Sequence, residues 1–483
     1  MKSIVSILLL IVVLITPISS QSTAKSKALD LLKEETANGI QAGYDSYKNI
    51  ALAIWDYAEI GYKEYKSSEL LQKTLNFSGF KVEAGVAGIP TAFVATYGSG
   101  SPVIGILAEF DALPGLSQDK GPTKKLLEGK TSGHACGHHL FGTGSVAAGI
   151  AIKKLIAEGK LKGTIKVFGC PAEEGGSGKV YMVREGLFKD VDVAIHWHPS
   201  SSNSVSYTSS LANKSAKFRF HGISAHAAAA PQNGRSALDA VEAMNYMVNM
   251  MREHVPQETR IHYVITSGGE APNVIPEFAE VYYYVRHPDR AWVEKIFDRV
   301  ALAANGAAMG TGTTTDYEII GGTHDLLINE TLALVMQENL EKIGGFTYTP
   351  EEMAFGKEIQ ATFLSGAMPL ESAATVGKLK PETNRGSTDI GDVSYVVPTV
   401  GLRTATWVPG TPAHSWQAVS CGATDIGVKG MMVAAKSMAS TAIDLFTNPE
   451  LIKNAKTEFV KSIGDYQYQA LLGDRKPALN YRD

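Results

Sequence analysis

A chain of 483 residues with 44% apolar and 19% charged side chains can bury a large core, which excludes a disordered protein. The formal net charge of −4, with no basic run interleaved with aromatics, excludes a nucleic-acid surface built on charge. Three cysteines, Cys136, Cys170 and Cys421, are too few for a disulfide framework in so long a chain.

Met1-Lys2 is followed by an apolar run from Ile4 to Ile15, then Pro17 and the small residues Ser19 and Ser20. This pattern predicts a secretory signal peptide over residues 1–20, and hence a periplasmic or secreted protein. The alternative, a membrane anchor, needs about 20 apolar residues, and the run has only about 12. No later segment reads as long and apolar enough to cross a bilayer. The mature chain is therefore expected to carry no stable membrane span.

Helical spacing follows over Ala28 to Ala37, Ser46 to Ala58 and Ser67 to Phe77. Thr91 to Tyr97 and Val103 to Ala108 read as strands, the second apolar enough to be covered on both faces. It leads into Glu109-Phe110-Asp111-Ala112-Leu113-Pro114. Acidic residues at the end of a buried strand lie where open α/β sheets collect ligands; the plainer alternative is that Asp111 caps a turn before Pro114. Cys136 and His138 come next, two residues apart in Gly133-His134-Ala135-Cys136-Gly137-His138-His139. Thiolate and imidazole suit zinc and similar ions, and Gly137 permits a turn between them. A buried thiol beside surface histidines is the plainer alternative for this stretch alone.

A buried helix is expected to about Glu158, then a strand, Thr164 to Cys170, which delivers Glu173-Glu174 before a glycine-rich loop. Adjacent carboxylates repel unless a cation or a shared proton relieves them. Their division into one ligand and one base competes with a solvated loop. The strand Val191 to Pro199 carries His196 and His198 on one face, and either could be the ligand.

From Ala216 the period changes. A strand to His221, a helix over Arg235 to His254, strands over Ile261 to Thr266 and Ala279 to Arg286, a helix over Ala291 to Ala308 and a strand over Thr313 to Ile320 give a β-α-β-β-α-β order. This predicts an inserted ferredoxin-like α+β domain over residues 211–322. Residues 21–210 and 323–483 then form one discontinuous α/β domain. Its second part is expected to contain helices over Glu330 to Lys342 and Pro350 to Ser365, a strand over Val400 to Val408 leading to His414, and a closing helix over Ala423 to Phe446. The acids of the polar tract Arg385 to Asp392 could orient ligands or cap helices.

The ordered motifs EFDALPGLSQ, GHACGHHLFGTG, CPAEEGGSGK, WHP, FHGISAHAAAAPQNGRSALDAVEAMN, APNVIP, STDIGDVS and GTPAHSWQ resemble the amidohydrolase branch of the M20 metallohydrolase family, nearest its aminobenzoyl-glutamate hydrolases. They span about residues 105 to 440, most of the mature chain. The resemblance implies a mixed-sheet, zinc-peptidase-like catalytic domain with a lid that also dimerises. It implies two divalent metal ions, Zn or Mn, with Cys136 bridging them and His138, Glu174, His198 and His414 as further ligands. Glu173 would be the general base, and His226 would reach the partner subunit's site. Asn273 and Arg286 would bind substrate, with Asp111 and His139 behind the ligands. WHP favours His198 over His196.

Two positions depart from the pattern. Glu109 stands where other branches carry a histidine ligand, and His139 where related sequences carry Asp or Asn. The implied activity is hydrolysis of N-acyl or N-aroyl amino acids, or of dipeptides. The competing classes are an aminoacylase of different acyl specificity and a non-catalytic binding protein on the same fold. The expected assembly is a homodimer, or a heteromer with a related A-type subunit.

Overall fold

The computed structural model describes residues 18–383 and 385–482, with side chains for 26–381 and 385–482. The expected signal segment lies outside these residues except for 18–20, which belong to the first helix, α1 (Ile18–Ala42).

Among the described residues, seven strands form the larger sheet. They are β1 (Lys81–Ala84), β2 (Phe93–Ser99), β3 (Val103–Glu109), β4 (Gly163–Cys170), β5 (Val193–Ser200), β6 (Ser204–Val205) and a late strand, Thr399–Ala405. The spatial order is β1-β2-β4-β3-β5, then Thr399–Ala405, then β6. The run from β4 through Thr399–Ala405 is parallel and the strands flanking it are antiparallel, so the sheet is mixed, as expected. The parallel strands are nearly continuous apolar runs because helices cover both faces.

Helix α2 (Tyr44–Tyr57), α3 (Tyr65–Phe77) and α4 (His138–Ala157) precede or follow the early strands, and α4 lies against β3 and β5. Gly144 allows that approach, since a Cβ there would meet Trp197 Cζ2 at 3.0 Å and Met431 Cγ at 3.1 Å. Helix α4 also corrects the reading that no later segment could span a membrane. It has the length and apolarity, but most of it is buried in the domain core. Helix α5 (Gly178–Arg184) comes next, directly after the Glu173-Glu174 loop.

The inserted segment has the ferredoxin-like arrangement. Strands β7 (Ala212–His221), β8 (Arg260–Ser267), β9 (Phe278–His287) and β10 (Thr314–Thr323) form an antiparallel sheet in the order β8-β9-β7-β10. Helices α6 (Ala237–Met251) and α7 (Arg290–Thr311) bury Val241, Met244 and Val300 against Phe218, Phe220 and Val281. Strand β8 is an edge and exposes Tyr263, Val264 and Ile265.

Helix α8 (Glu330–Ile343) returns the chain to the larger domain, and two boundaries there differ from the sequence reading. The helix expected to reach Ser365, α9 (Pro350–Gln360), stops at Gln360, where Thr362 turns its amide and hydroxyl back onto the Ile359 carbonyl. The late strand, β11 (Thr399–Ala405), ends early because Thr406 and Trp407 both donate their amides to the Ser200 carbonyl and bend the chain. Helices α10 (Ile390–Ser394), α11 (Trp416–Gly422), α12 (Asp425–Thr447) and α13 (Pro449–Ile463) complete the domain; the sequence reading contains no counterpart of α13.

Candidate metal centre

The carboxyl ends of the parallel strands converge, as open α/β sheets do around ligands. Strand β3 leads to Asp111, β4 to Glu173 and Glu174, β5 carries His198, and the loop after β11 carries His414. The amino end of α4 adds Cys136 and His138. Gly137, between those two, has φ 77° and packs against Pro199, where a Cβ would meet the ring at 2.6 Å. The expected turn is therefore present, and only glycine fits it without strain.

Two groups of ligand atoms share one thiol. Cys136 Sγ lies with ring nitrogens of His138 and His198, all within 4.8 Å of one another, and again with Glu174 and His414 within the same limit. Cys136 Sγ is 3.4 Å from His198 Nε2. His414 Nε2 is 3.1 Å from Glu174 Oε1, and His138 Nε2 is 3.1 Å from Glu109 Oε2. His138 Nε2 and Glu174 Oε1 are buried, yet neither makes a hydrogen bond. Burial pushes the Cys136 thiol up, Glu174 adds to the push and His138 opposes it. A sulfur so placed ionises only with a cation beside it. Crowded, unbonded donor atoms of thiolate, imidazole and carboxylate type fit a pair of divalent ions.

The surrounding side chains fix these donors. Asp111 Oδ1 is 2.9 Å from His138 Nδ1, which leaves Nε2 to face the cluster, and Asp111 Oδ2 accepts the Glu174 amide at 2.9 Å. Asp111 thus ties His138 to the backbone of the Glu173-Glu174 loop. Glu173 joins Glu109 and His138 in a third close group. Burial pushes the Glu173 carboxyl well up, and the charges of Glu109, Glu174 and Asp389 push it further.

The loop carrying the Glu pair holds two strained residues, Ala172 (φ 56°) and Ser177 (φ 61°). Each such residue costs about 1–3 kcal/mol and persists only where neighbours over-determine it. Here Glu64 Oε1 accepts the Ala172 amide at 2.8 Å, and Tyr62 donates to the Gly176 carbonyl at 2.7 Å. Sequence reasoning missed Glu64, which is fully buried and pushed up to about 8 by burial and by Asp111.

Glu109 Oε1 pairs with Lys179 Nζ at 2.7 Å, and Lys179 also pairs with Asp389 at 2.7 Å. Asp389 therefore anchors α5, and Asp392 of the same tract binds His324 Nδ1 at 2.8 Å. Neither acid belongs to a close ligand group among the described residues. His196 lies against Gly401 and joins none of the close ligand groups, and burial lowers it to about 3. His139 turns its Nε2 onto the Gly422 carbonyl at 3.0 Å and ties α4 to the end of α11.

His226, Asn273 and Arg286 belong to the inserted domain, and no described contact joins them to the cluster within one chain. His226 is exposed, and its Nδ1 accepts the amides of Ala228 and Ala229 at 3.2 and 3.1 Å. Its proton is thereby assigned to Nε2. The Asn273 carbonyl accepts the Ala227 amide at 3.0 Å, so Asn273 and His226 are neighbours. Arg286 lies over the Tyr284 ring at 5.2 Å, with its Nε buried and unbonded.

Residues 211–310 match the peptidase dimerisation domain of the M20 family. The chain is 42% identical over 450 residues to the B-type subunit of p-aminobenzoyl-glutamate hydrolase of Escherichia coli, covering 87% of this chain and 93% of that protein. It is 29% identical over 454 residues to Xaa-Arg dipeptidase of Mus musculus, covering 90% and 94%. Among solved structures, a dinuclear metal-binding M20 peptidase of Bacillus subtilis superposes with a TM-score of 0.58 at 17% identity, covering 84% of this chain and 99% of that one, a likeness of fold. A metal-ligand cluster at the strand ends, an inserted dimerisation domain and this extent of identity make the chain a hydrolase of the M20 family.

Proposed function

We propose that the protein hydrolyses the amide bond of N-acyl or N-aroyl amino acids, of the aminobenzoyl-glutamate type, or of dipeptides. The observation that carries this is the single thiol, Cys136, shared between two sets of ligand atoms. We read one set as Cys136, His138 and His198 and the other as Cys136, Glu174 and His414, for Zn or Mn. Residues 21–210 and 323–483 would be the metal-binding domain and 211–322 the lid.

Bound ions supply Lewis acidity and bring the pKa of a water toward neutral. Glu173, close to His138 and next in the chain to Glu174, takes the proton of the attacking water and passes it to the leaving nitrogen. Asp111 holds His138 and the Glu174 amide still while this happens. His226 keeps a proton on its exposed Nε2, which suits it to donate to the developing oxyanion across a dimer. Its place on the lid, away from its own chain's cluster, supports service to the partner subunit. Asn273, beside it, and Arg286 are the substrate-binding candidates.

The exposed edge strand β8 supports pairing of two lids. A homodimer fits this. The Escherichia coli hydrolase is named as having both an A-type and a B-type chain, which supports a heteromer as the other assembly. The composition of residues 1–20 supports export to the periplasm or medium.

The test is metal analysis of the purified protein together with a panel of acyl-glutamates, N-aroyl amino acids and dipeptides. Metal at two equivalents with turnover of at least one class is the expected result. Stoichiometric metal with no hydrolysis across the panel overturns the reading in favour of a binding protein.

A further inference from the structure

The segment after α13 returns across the molecule to the loop that carries Glu173 and Glu174. Tyr466 meets His324 Nε2 at 2.9 Å, and Tyr468 donates to Asp392 at 2.8 Å. Leu471 and Leu472 are buried, Leu471 lying against Gly322 at the end of β10. Arg184 and Tyr181, both on α5, then donate to the chain: Arg184 to the carbonyls of Gly473 and Arg475 at 3.0 and 2.7 Å, and Tyr181 to that of Lys476 at 3.3 Å. The segment ends on the loop itself. Tyr481 donates its hydroxyl to the Glu174 carbonyl at 3.0 Å, and Arg482 donates to the same oxygen at 2.6 Å. The Tyr481 ring packs edge-on against Tyr62, which holds the next carbonyl but one, Gly176.

We propose that residues 464–482 form a strap that sets the metal affinity of the centre, with Tyr481 and Arg482 as positioning residues for Glu174. This rests on the reading of Glu174 as a ligand. The two donors act on the backbone of Glu174 and not on its carboxylate. They complete a set of restraints in which Asp111 holds the amide of that residue and the strap holds its carbonyl. With both peptide groups fixed, the side chain leaves the backbone in one direction, toward His414. Without the strap, Glu174 would keep its amide hydrogen bond and Gly175 its amide bond to the Glu173 carbonyl, but the Glu174 carbonyl would lose both of its donors, between two strained positions of the loop.

The experiment compares wild type with the double variant Tyr481→Phe/Arg482→Ala. Zinc and manganese affinities are measured by chelator competition, kcat is measured across added metal, and unfolding is followed on metal-free protein. Loss of a group that orients a ligand typically weakens metal binding about 10- to 100-fold, and that shift is expected here. Activity of the variant should return as metal is raised. Affinity within twofold of wild type overturns the strap, as does a loss of unfolding midpoint with unchanged affinity. If the double variant fails to fold, Tyr481→Phe and Arg482→Lys carry the test, each expected to weaken binding several-fold, and wild-type affinity in both overturns it. A wild type that binds no metal sinks the ligand reading and the strap with it. Metal bound equally by wild type and variant sinks the strap alone.

Discussion

Glu109 Oε1 lies 2.7 Å from Lys179 Nζ, and both side chains are out of contact with solvent. That pairing answers why a carboxylate is tolerated at the end of β3, beside Glu173 and His138. Lys179 is shared with Asp389, so one buried cation faces two buried acids. Replacing Lys179 with Met removes the shared cation from both acids and leaves Glu109 only its contact with His138. Breaking such a buried group typically costs about 3–5 kcal/mol. The expected result is a large fall in the urea midpoint of Lys179→Met, much of it recovered when Glu109→Gln is added. A Lys179→Met chain as stable as wild type would contradict this.

Glu173→Gln should keep metal and lose turnover, because the amide retains the shape of the carboxylate but cannot accept a proton. A positioned base contributes about 100- to 10,000-fold, which sets the expected loss in kcat. Cys136→Ala and Glu174→Ala should instead lose metal. Atomic absorption on dialysed protein separates the two classes. Retention of near-wild-type turnover in Glu173→Gln would move the base elsewhere.

Asp111→Asn leaves the ring of His138 and the amide of Glu174 without their shared anionic acceptor. Metal affinity should fall about 10- to 100-fold with little change in KM at saturating metal. Chelator competition reads the first and steady-state kinetics the second.

His226→Ala should lower kcat about 100- to 1,000-fold, the usual cost of one oxyanion donor. If the residue serves the partner's site, two inactive chains can complement each other. A mixture of His226→Ala and Glu173→Gln protomers, dissociated and reassembled, would contain a site with an intact Glu173 facing an intact His226. Recovered activity on mixing is expected. Silence in a verified mixed dimer would place His226 outside the chemistry.

The sequence carried the proposed ligands better than it carried what holds them. Cys136, His138 and Glu174 are visible because each falls at the end of an apolar run or the start of one, and strand ends gather in space whatever the loops do. His198 can be preferred over His196 only by motif; in space, His196 lies against Gly401 and joins no ligand group. Glu109 stays open in the sequence because its partner, Lys179, sits in a glycine-rich stretch that reads as loop but folds into a buried helix. Asp389 and Asp392 lie in a polar tract without period, and their partners are some 210 and 68 residues away. Glu64 gives no signal at all, being one charged residue in the short connection between α2 and α3. Tyr481 and Arg482 give none either, since a donor aimed at a carbonyl leaves no pattern in the chain that bears it.

The interruption of one domain by another has a consequence for how the protein is made. The inserted sheet is built from one continuous stretch with its own core, so it can close while the chain is still emerging. The larger sheet cannot, because β11 pairs beside β5 and His414 follows β11. On the ligand set proposed above, a nascent chain therefore displays an incomplete donor set until His414 has been added. Stalled or truncated products ending before His414 should be unable to sequester metal tightly.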